Sequence, residues 1–184
     1  MPDDLSAEDL ATIVEQIDRG EDAFQVPEDL LQEPEIPVPA PPEEINQSLF
    51  TKIMRMTVGE RIKLALKGNR DARSILMRDS NRLIPRLVLQ NPRISDDEIV
   101  AIGRNRNADA ELLRVIGDDR EWAQNPQIRS VLVTNPKTPV GVALKFIKSL
   151  PERELRQLAK SKNITSAVAT AAKRTLFLKT EKRS

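Results

Sequence analysis

Val131-Leu132-Val133-Thr134-Asn135-Pro136-Lys137-Thr138-Pro139 is the stretch on which the fold turns. Thr138-Pro139 reads as a helix cap followed by a first-turn proline, a position that proline tolerates because its missing N–H is not needed there. Val142, Ala143, Phe146 and Ile147 follow at helical spacing. Val131 to Thr134 is the best strand candidate in the chain, but it is short and follows the helix-start signal Asn125-Pro126-Gln127-Ile128. Asn91-Pro92-Arg93-Ile94-Ser95 is a second clear copy of the phrase. Asn125-Pro126 is a partial copy, and Asn105-Arg106-Asn107-Ala108-Asp109 and Ser161-Lys162-Asn163-Ile164-Thr165 are degenerate ones. Repeated helix-starting punctuation predicts a stack of short helices.

The rest of the body agrees. Thr57-x-x-Glu60 and Ser95-x-x-Glu98 are capping boxes, Asp109 is a cap, and Ser149-x-x-Glu152 has the same form. Gly68 and Gly117 read as stops. The pattern predicts an all-α domain over residues 46–178 with about nine or ten short helices. Helices this short cannot bury their stripes alone and must stack. Asn91 and Asn135 lie 44 residues apart, near the roughly 40–47-residue period of two-helix solenoid units. The other copies break that spacing, so a compact bundle is the second arrangement the pattern allows.

Val133 to Pro139, with Leu144 and Ile147, resembles the repeat unit of leucine-rich-variant proteins, which are related in form to HEAT-like solenoids. Residues 51–176 are also similar to a group of uncharacterised bacterial helical-repeat proteins. Met56-Thr57-Val58-Gly59-Glu60-Arg61-Ile62-Lys63-Leu64-Ala65-Leu66 and Arg78-Asp79-Ser80-Asn81 carry that likeness. The resemblance implies a short α-solenoid in a bacterial setting and implies no activity. Some variant-repeat proteins hold an iron–sulfur centre on a cysteine cluster, and this chain has no Cys.

Charge divides the chain in two. Residues 1–50 hold 14 carboxylates against Arg19 alone, whereas the whole chain carries 29 Lys and Arg against 28 Asp and Glu. Residues 1–25 are expected to form a disordered acidic arm carrying one amphipathic helix, capped by Ser6 and ended by Gly20, with a docking stripe of Leu10, Ile13, Val14 and Ile17. An isolated helix of this length is marginal in water, so the stripe docks on the chain's own body or in a partner's groove. Residues 26–45 are expected to be an extended, proline-rich linker. Within it, Ile36 to Pro42 is a spacer or a ligand for a proline-binding module. Residues 179–184 are expected to be a frayed basic tail.

Composition narrows the functions. The chain contains neither His nor Cys, so the usual neutral-pH base, the thiolate nucleophile and the commonest metal ligands are missing. Asp96, Asp97, Glu98, Asp109 and Glu152 crowd helix starts, where capping explains them. No Gly-rich phosphate loop or nucleophile motif stands out. We expect no catalysis, cofactor or metal, and no membrane span. The N-terminus lacks the features of a secretory signal, which makes the cytoplasm the expected compartment.

Lys63, Lys67, Arg70 and Arg73, then Arg78, Arg82 and Arg86, recur at helical spacing as a candidate basic ridge. Such a ridge neutralises phosphates or is simply a solvated face. Few aromatics accompany it to stack bases. Trp122 is expected to anchor a core between helices; if exposed, it would suit an interface. The expected function is a protein-interaction adaptor or scaffold whose acidic arm is a second docking or autoinhibitory element. The alternative is a nonspecific nucleic-acid binder.

Overall fold

A computed structural model describes residues 5–33 and 43–181. Among these residues there are eleven α-helices, two 3₁₀ turns and no strand. The helices are α1 (Ala7–Arg19), α2 (Glu43–Met54), α3 (Val58–Lys67), α4 (Arg70–Leu76), α5 (Leu83–Val88), α6 (Asp96–Arg104), α7 (Ala110–Asp118), α8 (Pro126–Thr134), α9 (Val140–Ile147), α10 (Glu152–Lys160) and α11 (Ser166–Glu181). The 3₁₀ turns are Glu28–Leu30 and Trp122–Gln124. The chain divides into two compact units, residues 1–94 and 95–184.

Local chemistry sets the helix ends. Thr57 and Ser95 each accept a backbone N–H at the third helical position, while Glu60 and Glu98 reach back to the cap N–H. This reciprocal pair satisfies two donors that a helix start leaves without partners. Asp109 caps α7 and Asn125 caps α8. Gly20 closes α1 at φ 71°, a left-handed conformation that a side chain would strain.

Four sequence expectations change. Pro151, not Ser149, sits at the N-cap of α10; the Ser149 hydroxyl donates to the Phe146 carbonyl and finishes α9 instead. Pro139 takes the N-cap of α9. Thr138 closes the preceding turn by donating its N–H to Asn135, which turns its hydroxyl inward, where it is buried without a hydrogen-bond partner. Gly117 lies inside α7 rather than ending it, and Val142 of α9 packs where its Cβ would stand. Gly103 in α6 admits Val131 of α8 in the same way. Trp122 is half-buried in its 3₁₀ turn rather than a buried anchor.

In the first unit, α3 packs on α4 and α5, α2 packs on α4, and α1 packs on α3. Its core includes Ile53, Ile62, Leu64, Leu76, Ile84 and Val88. In the second unit, α6 packs on α7 and α8, α7 on α8 and α9, α8 on α9, and α11 on α9 and α10. Consecutive helices pack on each other from α6 to α9 and again at α10 and α11, and several also pack on the next but one. Ile99, Leu113, Ile116, Ile128, Leu132 and Leu150 are fully buried.

The expected boundary near residue 45 is not a packing boundary. Residues 5–33 are ordered and share the core of the first unit: Ile17 is 0% exposed and Leu30 3%. The acidic segment is therefore not a free arm. Its apolar stripe had a complementary face within its own unit, and burying that stripe supplies the stability that an isolated short helix lacks. Of the expected proline-rich linker, residues 34–42 lie outside the described residues, as do residues 182–184 of the tail; within the rest, Glu28–Leu30 forms a 3₁₀ turn and residues 43–45 belong to α2. Helix α11 continues through the first part of the tail, and Lys179 donates to the Leu150 carbonyl.

Candidate functional site

The functional geometry lies where residues 5–33 cover α3 and α4. Helix α1 lays Ile17 into the core, with Leu10, Ile13 and Val14 partly buried beside it. All four residues of the expected stripe face the chain's own unit. After Gly20 the backbone is irregular until the 3₁₀ turn at Glu28–Leu30. Phe24 enters this interval with its ring against Gly59, in the space a Cβ would fill. Leu30 provides the second buried anchor.

Polar groups of α3, of α4 and its cap Asn69, and of Arg93 after α5 hold the segment, mostly by its main chain. Lys63 Nζ donates to the Asp22 carboxylate and to the Phe24 carbonyl, both at 2.8 Å. Lys67 donates to the Ile17 carbonyl. Asn69 Nδ2 donates to the carbonyls of Asp29 at 2.9 Å and Gln32 at 3.2 Å, and its backbone N–H donates to Leu30 O at 2.7 Å. Arg73 Nη1 meets Glu33 at 2.6 Å, and Arg93 Nη1 meets the Leu31 carbonyl at 2.8 Å. In all these bonds the helical body donates and residues 17–33 accept.

Asp22 is nearly enclosed. Burial alone would raise its pKa. The hydrogen bond from Lys63, the Phe24 N–H and the charges of Lys63 and Lys67 more than offset that effect, so its carboxyl lies below the ordinary range. The ion pair is thus ionised at neutral pH and ties the segment to α3.

The candidate basic ridge is divided by this cover. Lys63, Lys67 and Arg73 are engaged by the acidic segment. Arg70 donates its backbone N–H to Glu33, and Arg70, Arg78, Arg82 and Arg86 are exposed. Asp22, Phe24, Leu30, Glu33, Asn69 and Arg93 were not singled out from the sequence, because each acts through partners about 39 to 62 positions away. The opposed charges of the two halves and the apolar stripe of α1 hinted at the contact, but not at these residues.

A groove of about 510 Å³ runs beside this cover, lined by Leu10, Ala11 and Val14 of α1 and by Leu87 and Gln90. Among the described residues no group of His, Cys, Asp or Glu could hold a metal ion, and no helix is long and apolar enough to cross a membrane. No protein-family model, curated protein or solved structure matches the chain.

Proposed function

We propose that this protein is a non-catalytic interaction adaptor, built on short stacked helices of the α-solenoid type and similar in form to leucine-rich-variant and HEAT-like repeats. In this reading residues 5–33 are an internal lid that occupies a binding face until a protein partner displaces them. The observation that carries it is the one-way set of bonds from Lys63, Lys67, Asn69, Arg73 and Arg93 onto the acidic segment. Helix stacking to the next-but-one neighbour supports the solenoid class. Tethering the lid to its face through a short linker raises its effective concentration, so a partner must compete against an intramolecular contact.

The exposed arginines of α4, α5 and the turn between them support a second reading, a nonspecific binder of phosphate backbones. Affinity capture from native extract, with nuclease and a salt series, separates the two. The adaptor reading expects a stoichiometric protein partner, retained after nuclease treatment and weakly dependent on salt. The phosphate reading expects loss on nuclease treatment and a steep fall of affinity with log salt. An absence of retained protein would remove the adaptor.

A further inference from the structure

We propose that the face of α3 and α4 beneath residues 21–33 is a recognition site for an extended acidic peptide carrying an Asp-x-Phe anchor and a leucine beyond it, with the chain's own Asp22-Ala23-Phe24 and Leu30 as the resident mimic. The proposal deepens the adaptor reading and rests on it. Three observations combine.

First, the body holds the segment largely by its main-chain carbonyls. Lys63, Asn69 and Arg93 supply donors to groups that any extended peptide possesses. Second, the side-chain seats are specific. Gly59 leaves a gap that the Phe24 ring fills, and Lys63 pairs with the carboxylate two residues before that ring. Third, the site mixes an aromatic seat and a leucine seat with its cations. A phosphate backbone would satisfy the cations and leave both apolar seats empty, so charge and apolar complementarity together favour a peptide.

The probe is a labelled synthetic peptide spanning residues 19–33, titrated by fluorescence anisotropy into the full chain. Wild-type protein should bind it weakly, because the tethered lid competes. Phe24→Ala empties the ring seat and should tighten binding at least tenfold. Adding Gly59→Ala places a methyl in that seat and should reverse the gain, while a peptide lacking the phenyl ring should be indifferent to Gly59→Ala. Asp22→Lys loosens the lid by charge while leaving Phe24 and Leu30 intact and provides a second opened protein if Phe24→Ala does not fold, as judged by circular dichroism.

The site is overturned by any of four results: no saturable binding to either opened variant, equal binding with and without Gly59→Ala, capture of an oligonucleotide that the peptide does not compete away, or dimerisation through exchanged lids that excludes the peptide. If opened variants refuse the peptide yet retain a nuclease-resistant protein partner, the adaptor reading stands and the peptide site falls. If they bind the peptide but retain no partner, the reverse holds.

Discussion

Asn91 and Asn135 make the same set of hydrogen bonds at two places 44 residues apart. The Asn91 side-chain amide donates to Ala65 O at 3.0 Å and Gly68 O at 3.2 Å, at the end of α3. That of Asn135 donates to Gly103 O at 2.7 Å and Asn105 O at 2.9 Å, at the end of α6. Each side-chain oxygen accepts the N–H two residues on, from Arg93 or Lys137. The last carbonyls of a helix have no partner within it, so each Asn satisfies the end of a helix two elements back while shaping the turn to the next. Both residues are buried. The repeated phrase is therefore a latch as well as punctuation.

Asn91→Ala and Asn135→Ala should each lower stability by about 1–3 kcal/mol in denaturant titrations, since the first strands Ala65 O and the second Gly103 O, while Gly68 O keeps Arg73 and Asn105 O keeps the Ala108 N–H. Asn→Asp at either position should be at least as damaging, because a carboxylate would face carbonyl oxygens. A loss below about 0.5 kcal/mol would show that the latch is ornamental.

Gly103→Ala and Gly117→Ala test the close helix crossings. Val131 Cγ2 lies 2.5 Å from the place a Cβ on Gly103 would take, and Val142 crowds the corresponding place on Gly117. Overpacking of this kind costs about 1–3 kcal/mol despite the better helix propensity of alanine. Val131→Ala should partly rescue Gly103→Ala, and Val142→Ala should partly rescue Gly117→Ala. Additive losses in the double variants would argue against the crossings as the cause.

Arg61 and Asp79 form a two-contact ion pair at 2.8 and 2.7 Å, with the Asp79 side chain fully enclosed. Asp79→Ala leaves the guanidinium without that partner beside the core and should cost about 3–5 kcal/mol. Replacing both residues by apolar side chains should recover much of the loss. Comparing the single and double variants by chemical denaturation checks both statements.

Lid docking should weaken in acid through Asp22. Its folded pKa is depressed below the ordinary value of 3.8, so its contribution is fully present above that value and disappears as pH falls through the lower folded pKa. Hydrogen exchange at residues 22–26, corrected for intrinsic rates, should show protection lost as the pH is taken below about 4. Asp22→Asn should start with less protection and respond less to acid. Identical profiles would remove Asp22 from the lid's attachment.

Much of the second unit was legible in advance because its signals are local. The Asp109 cap, the Ser95-x-x-Glu98 box and Pro126 each act within a few residues of themselves, and each falls where the sequence set it. Thr138 and Ser149 misled because a neighbouring proline took the cap position from each. In the first unit, Ser6 and Gly20 bounded α1 correctly, but neither could say what the stripe would meet.

Most helix boundaries, the absence of strands among the described residues and the opposition of charge follow from the order of amino acids, because capping, propensity and periodicity act over one or two turns. Tertiary structure alone decided that Phe24 would fill the gap at Gly59, that Lys63 would hold Asp22 and that Asn91 would reach back to α3. Those pairs lie tens of residues apart, and only packing of the chain onto itself brings their atoms together.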